Sequence, residues 1–488
     1  MDHSRVPVLE ALADFHRRGD TVYGPPGHKQ GRGVDPRVLE VLGEGVFRSD
    51  VLSLNGLDDR RESQGVLDQA QELMADAVGA ERAFFSTCGS SLSVKTSMLA
   101  VAGPGEKLLV SRNAHKSVIA AVIISGVEPV WVHPRFDTER NLAHPPEPDA
   151  VQRALAEHPE AKGMLLITPT DWGSCADIKG VAKVCHAEDV PLIVDEAWGA
   201  HLPFHDALPS WGMDADADLV VTSVHKMGSA VEQSSVFHLR GDRVSADVLK
   251  QREDLLGTTS ASSLVYATLD GWRRQMVEQG HELIDGALRR ARRLRAAVDG
   301  MPGLRLMGCD VVESGLAADL DLLKIVADVR ELGISGMRAA EWLRTNCRVD
   351  MGSSDTCRIS GVITHADDDR TEEVFLDALT RLVAAAEAGD IDGGPPVDLP
   401  APGALELEQV MLPRTAFFGP AEQVPAAQAV GRIAAEMISP YPPGVPAVAP
   451  GELITAEVMD YLRSGAAAGL LIPDAADPSM DSVRVVSA

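Results

Sequence analysis

An α/β fold with a mostly parallel sheet is predicted for the middle of this 488-residue chain. Three observations predict it. From about residue 64, short apolar runs rich in Val, Ile and Leu alternate with segments of helical periodicity. Such βαβ alternation sets strands side by side and covers both sheet faces with helices. Several of the apolar runs end in residues that carry chemistry, as strands of open α/β sheets do where they meet a ligand. Beyond residue 300 the alternation shortens, which predicts a smaller α+β domain and then a C-terminal unit.

In chain order, residues 5–19 place Val8, Leu9, Leu12 and Phe15 at helical spacing, a short first helix. Residues 23–33 are too rich in Gly and Pro for helix or strand. Residues 34–62 are mixed and polar, with a turn at Asn55-Gly56, so 1–62 reads as an arm laid across the body. The large domain covers 63–300. Helices are expected at 66–78, 90–101, 116–125, 148–157 and 179–187, and strands at 82–85, 107–110, 128–132, 163–167, 191–195 and 219–223. Helix signals continue over 263–299, where Arg289, Arg290, Arg292, Arg293 and Arg295 read as a solvated face. The small domain, 301–388, has strands at 322–329 and 356–364 and helices at 337–345 and 369–388. Residues 389–403 are a linker by composition, and the unit 389–488 contains Ser439-Pro-Tyr-Pro-Pro-Gly444.

The balance of 72 acidic against 45 basic residues gives a net charge of −27. That argues against nucleic acid and anionic membranes as partners and leans towards a cationic small molecule, although acidity also simply keeps a protein soluble. Six cysteines are scattered without a CxxC, the usage of a reduced compartment, and metal-ligand spacing is absent. No apolar run follows the N-terminal charges, and no stretch is long enough to span a membrane, so a cytoplasmic protein is expected.

The chemistry centres on Asp218-Leu-Val-Val-Thr-Ser-Val-His-Lys-Met-Gly-Ser229. Lys226 stands where a buried strand ends, beside Ser223 and His225. A lysine there suits pyridoxal phosphate (PLP) held as a Schiff base; an ordinary loop lysine is the alternative. PLP also needs an anion for its ring nitrogen, a stacking surface and phosphate donors. Asp195 ends the apolar run Pro191-Leu-Ile-Val-Asp195, though it could simply cap the next helix. Cys88-Gly-Ser-Ser91 is a turn opening a helix, where free N–H groups and the dipole meet an anion. His115, at the end of another strand, is the stacking candidate, and it could equally be a polar loop residue.

Together these segments resemble the ornithine/lysine/arginine decarboxylase family of PLP enzymes. The likeness rests on Gly24-Pro-Pro-Gly-His-Lys29, Gly56-Leu-Asp-Asp59, Ser90-Ser91, Arg112-Asn-Ala-His-Lys-Ser117, Thr168-Pro-Thr170, Asp195-Glu-Ala-Trp198, Ser223-Val-His-Lys226, Thr258-Thr-Ser260, Gly431-Arg432 and Pro440-Tyr-Pro-Pro443. It is similar to the short form, without an N-terminal wing domain. The resemblance implies fold type I, aspartate-aminotransferase-like, with a seven-stranded sheet between helices. It implies Lys226 as the Schiff-base lysine and Asp195 as the ring-nitrogen partner, His115 and Ala197 on the ring faces with Trp198 alongside, and Ser90, Ser91, Ser223 and His225 at the phosphate. Thr258 and Ser260 match a segment that reaches a partner subunit's phosphate, so a homodimer or larger homo-oligomer with shared sites is implied.

The implied activity is decarboxylation of arginine, lysine or ornithine to agmatine or a diamine, as in polyamine biosynthesis, with His225 or Lys226 returning a proton. Glu436 and Asp171 are candidates for the substrate's distal cation. Two departures stand out. Asp171-Trp172 replaces the usual residues after Thr-Pro-Thr, and Arg358 sits on a small-domain strand where an apolar residue is expected. An arginine there grips the substrate carboxylate in related aminotransferases, so transamination or oxidative deamination of arginine is the rival. Pairing of Arg358 with Asp355 is the structural alternative.

Overall fold

The computed structural model describes residues 1–52, 65–401, 403–441 and 444–487. The Asn55-Gly56 turn, the segment Gly56-Leu-Asp-Asp59 and the prolines 442 and 443 lie outside the described residues. The chain forms two compact units. The first joins Met1–Ala100 with Ile193–Ile284, and the second joins Val101–Leu192 with Asp285–Ala488.

Seven strands carry the α/β pattern: β1 Arg82–Ser86, β2 Lys107–Ser111, β3 Glu128–Val132, β4 Met164–Ile167, β5 Leu192–Asp195, β6 Leu219–Ser223 and β7 Ser235–Leu239. In the first unit the order is β1-β7-β6-β5. β5 and β6 are parallel, with Ile193 opposite Leu219, while β7 is antiparallel to both β6 and β1. In the second unit β4, β2 and β3 lie side by side, all parallel. Leu108, Leu109 and Val110 are fully buried, as residues of a strand covered on both faces must be. The sheet is thus mostly parallel. β7 was not expected from the sequence: Ser-Val-Phe-His-Leu is five residues long and contains an imidazole. Burial drives His238 down to about 3, so it packs as a neutral core residue.

The first helix, Pro7–Arg18, begins on proline and ends at Gly19 in the left-handed region. Its Val8 N–H donates to Asp270 Oδ2 at 2.9 Å, and Asp270 also holds the buried Arg273 at 2.8 Å. These contacts tie the start of the chain to the long helix Ser263–Asp299. The arginine run on that helix is a solvated face only in part: Arg289, Arg292 and Arg293 are exposed, and Arg295 is buried. Arg290 and Arg293 pair with Glu372, and the buried Arg295 donates to the carbonyls of Lys324 and Met307. The tail of this helix is therefore fastened to the small domain, because guanidinium stems also cover apolar surface.

The small domain's sheet pairs Lys324–Asp328 with Arg358–Val362 antiparallel, flanked by Arg305–Leu306 and Ser353–Ser354. Its last helix, Asp369–Glu387, opens with a capping box between Asp368 and Thr371. The C-terminal residues build a separate core from Leu407, Ile438, Val458, Leu462 and Val485 around the ribbon of Ala421–Pro425 with Ser482–Val486.

Candidate active site

In the first unit, β6 ends at Ser223 and passes straight into the short helix Val224–Met227. The helix is pinned by Val224 N–H to the Ser234 carbonyl, 2.9 Å, and closed by Gly228 N–H to the Val224 carbonyl, 2.7 Å. Gly228 is required there, since a Cβ would lie 2.6 Å from Trp272 Nε1. This places half-buried Lys226 with its Nζ 4.4 Å from the centroid of the Trp198 ring. A cation over an indole face is attracted electrostatically, which helps to hold the Lys226 side chain in place.

Ser223 Oγ donates to Ser90 Oγ at 2.7 Å. Ser90 and Ser91 open the helix Gly89–Val101, and Gly89 turns into it at φ 72°. The sequence-predicted phosphate turn and the lysine-bearing strand end are thereby brought together. Asp195, the last residue of β5, is buried, and its Oδ1 accepts from Ala197 N–H at 3.1 Å. The Ala197 carbonyl in turn accepts from Ser223 N–H at 3.3 Å, joining this turn to β6. His225 Nδ1 lies 3.0 Å from the Ser234 carbonyl, a pairing that sets the proton on Nδ1 and leaves Nε2 as an acceptor. Burial, with the nearby Lys226 charge, lowers the His225 imidazole below its ordinary value, so it is neutral near pH 7.

Thr258 and Ser260 lie in an exposed turn closed by Ser260 N–H to Thr258 Oγ1 at 3.1 Å. Glu196 escaped the sequence reading. It follows Asp195, is fully buried, and accepts from Gly212 N–H at 3.1 Å through Oε2. Burial, with the neighbouring Asp195, pushes its carboxyl well above the usual range. The signal available was a second acid directly after an apolar strand.

The remaining candidates belong to the second unit. His115 caps the helix Lys116–Ser125, its Nδ1 accepting from Ser117 N–H at 3.2 Å. The next residue, Lys116, donates its N–H to the Gly444 carbonyl at 2.9 Å. Arg112 of the same motif is buried against Glu452, with 3.2 and 3.0 Å contacts, so this arginine is structural. Asp171 is half-buried, and its carbonyl accepts from Lys324 Nζ at 3.1 Å. Glu436 is buried, and its carboxylate accepts backbone N–H groups of Ala476 at 2.6 Å and Arg484 at 2.5 Å. Arg358 adopts the pairing given above as the structural alternative. Its Nε is 3.1 Å from Asp355 Oδ2, its Nη2 donates to the carbonyls of Arg140 and Asn141, and its guanidinium lies 5.2 Å from the Trp172 ring centroid.

The chain matches the family model described as Orn/Lys/Arg decarboxylase, major domain, over residues 6–321, and the C-terminal domain of the same family over residues 404–474. It is 36% identical to an arginine decarboxylase of Bacillus subtilis over 487 residues, covering 100% of this chain and 99% of that protein. The chain belongs to the Orn/Lys/Arg decarboxylase family. Other members are more distant: the constitutive lysine decarboxylase of Escherichia coli is 25% identical, over 95% of this chain and 77% of its own length. The fold is that of the solved E. coli constitutive lysine decarboxylase, with a TM-score of 0.80 at 22% identity over 99% of this chain and 82% of that one. A ureidoglycine-glyoxylate aminotransferase of B. subtilis shares it more loosely, at a TM-score of 0.56 and 17% identity over 74% of this chain and 92% of that one. Membership in the Orn/Lys/Arg decarboxylase family makes this chain an amino-acid decarboxylase by descent.

Proposed function

We propose that this protein is a PLP-dependent arginine decarboxylase that releases CO2 and agmatine. The observation that carries the reading is the Ser223–Ser90 bond, which joins the strand end before Lys226 to a Gly-Ser-Ser turn at a helix N-terminus. The residues fit PLP: an amine, a buried carboxylate, an indole, and hydroxyls beside an anion-binding turn all stand in one unit. Arginine is favoured over lysine and ornithine because relatives at 36% identity bear that name, against 25% for a lysine decarboxylase.

When bound, PLP supplies an electron sink for the pair left behind as CO2 departs. Lys226 is the residue that anchors it, and Asp195 holds a proton at the ring nitrogen. Ser90, Ser91, Ser223 and N–H groups of the helix start would hold the phosphate, Ala197 and Trp198 would hold the ring, and His115 is assigned to the ring by the family resemblance alone. Lys226 returns a proton to Cα, with neutral His225 as its neighbour. Of the two candidate acids for the distal cation, Glu436 has its carboxylate taken by two backbone donors, and Asp171 is the other.

The transaminating or oxidising rival needs Arg358 for the substrate carboxylate. Its commitment to Asp355 and two carbonyls disfavours that role. We place the enzyme in the cytoplasm, consistent with six cysteines that form no disulfide among the described residues, and in polyamine biosynthesis. We also propose a homodimer with Thr258 and Ser260 serving the partner's site; the short helices Pro36–Leu42 and Glu44–Ser49 bury none of their residues in their own chain. The domain order we retain is arm 1–62, PLP-binding domain 63–300, small domain 301–388, and linker with C-terminal domain 389–488. Incubation with labelled arginine, lysine and ornithine tests the reaction. Labelled CO2 and agmatine from arginine are expected, and a keto acid in their place overturns it.

A further inference from the structure

The turn after β5 carries three residues assigned to the cofactor: Asp195, Ala197 and Trp198. Between the first two stands Glu196, a fully buried acid that the chemistry above leaves unused. Its Oε2 accepts from Gly212 N–H at 3.1 Å, and its Oε1 is buried with no hydrogen-bond partner among the described residues. Burial, helped by the charges of Asp195 and Asp214, pushes the carboxyl well above its ordinary value, so the group stands as a neutral acid.

The segment that Glu196 binds is itself fixed. Gly212 follows the buried Trp211, whose Nε1 donates to the Val78 carbonyl at 2.9 Å. The Gly212 carbonyl accepts from Ala217 N–H at 2.9 Å, closing the turn that leads into β6. A Cβ at position 212 would lie 2.6 Å from Val220 Cγ2 and 3.0 Å from Glu196 Oε2, so this close approach needs glycine. On the other side, Gly199 N–H donates to the Glu196 carbonyl at 2.6 Å, and a Cβ there would lie 2.9 Å from Glu196 Cβ. One glycine thus meets the carboxyl group of Glu196 and another its main chain. Both contacts lie in the unit that holds Lys226.

We propose that Glu196 is a positioning residue for the cofactor: by binding Gly212 it fixes the turn 195–199 and so sets where the Asp195 carboxylate and the Trp198 ring stand. The assignment rests on the PLP reading above and extends it to a residue that acts through Asp195 and Trp198. A neutral acid suits the task better than a carboxylate. It accepts the Gly212 bond without placing a second negative charge beside Asp195, so the ring nitrogen faces one anion.

Three full-chain variants test this. Glu196→Gln keeps a neutral acceptor, Glu196→Met keeps the length without a carbonyl oxygen, and Glu196→Ala removes both. Each is stripped and titrated with PLP at the visible edge, and thermal melting shows whether it is folded. Glu196→Gln should bind PLP as the parent does. Glu196→Met and Glu196→Ala should bind it about tenfold more weakly, the scale of one buried hydrogen bond. A second readout does not follow stability. A displaced Asp195 holds the ring-nitrogen proton less firmly, and with less positive charge in the ring the Lys226 nitrogen keeps its own proton to higher pH. The midpoint of the visible band's pH titration should therefore rise in Glu196→Met and stay in place in Glu196→Gln. Parent-like affinity or an unmoved midpoint in Glu196→Met overturns the positioning role, as does a Glu196→Gln protein as weak as Glu196→Met. If Glu196→Ala does not fold, the comparison of Glu196→Gln with Glu196→Met decides. If the parent itself binds no PLP, the cofactor reading fails and this role fails with it, an outcome distinct from a change confined to the variants.

Discussion

Ser223 and Ser90 share a hydrogen bond of 2.7 Å although 133 residues separate them in the chain. The bond joins the end of β6 to the first turn of the helix Gly89–Val101. Replacing Ser223 with Ala removes the donor and loosens both. We expect PLP to bind the stripped variant about tenfold more weakly, the worth of one hydrogen bond to a charged group. A cofactor titration followed at the visible edge reads this directly, and unchanged affinity would remove Ser223 from the phosphate site.

Glu196 is a neutral acid in the folded protein, because burial raises its carboxyl well above 4.5. A raised folded value means that the folded state holds a proton the unfolded chain releases. The stabilising contribution is complete below pH 4.5 and fades as pH climbs towards the raised value. Glu196→Gln mimics the neutral acid at every pH. Its melting temperature should match the parent's in acid and exceed it increasingly as pH rises above 4.5. Parallel melting curves against pH would show that Glu196 is not held neutral.

Arg358→Ala should act on stability rather than on the reaction. It removes the cation paired with Asp355, whose carboxylate keeps two backbone N–H donors, and leaves two backbone carbonyls without the guanidinium they accept from. Breaking a largely buried pair costs about 3 kcal/mol, which denaturant unfolding will register. Agmatine should remain the product. Loss of substrate binding with stability intact would restore the carboxylate-gripping role.

Mixing subunits examines the shared site. Lys226→Ala subunits and Thr258→Ala/Ser260→Ala subunits should each be nearly inactive alone. After exchange, a fraction of mixed dimers regains one complete site, and activity should rise above both parents. A monomer in sedimentation, or no recovery on mixing, ends the shared-site arrangement.

Strand ends were the most legible feature of the sequence. The apolar runs before Asp195 and Lys226 fold as β5 and β6, because buried parallel strands need continuous apolar residues. Short antiparallel pieces were not legible. β7 and the hairpin of Arg135–Asp137 with Leu142–His144 are set by pairing across the chain, which no local period announces. Polar partnerships were hidden for a similar reason. Arg112 and Glu452 are 340 residues apart, and Arg295 looked solvated because its carbonyl partners lie in other segments. Arg358 with Asp355 was foreseeable, since three residues separate them. Glu436 attracted attention as an isolated acid, yet the groups it binds are main-chain N–H donors that sequence does not display.

β7 has an effect on direction. It runs against β6, and β1 runs against β7, so two reversals leave β1 and β6 pointing the same way. The carboxyl ends of β1 and β6 therefore open on one edge, and only on that edge can Gly89-Ser90 reach Ser223. Two strand spacings of about 4.8 Å separate those ends, with β7 between them, and the Ser90–Ser223 hydrogen bond joins them. A single intervening reversal would have sent the phosphate turn to the opposite edge. The unannounced strand thus acts as a parity element: it contributes none of the assigned site residues, and the meeting of Ser90 with Ser223 depends on it.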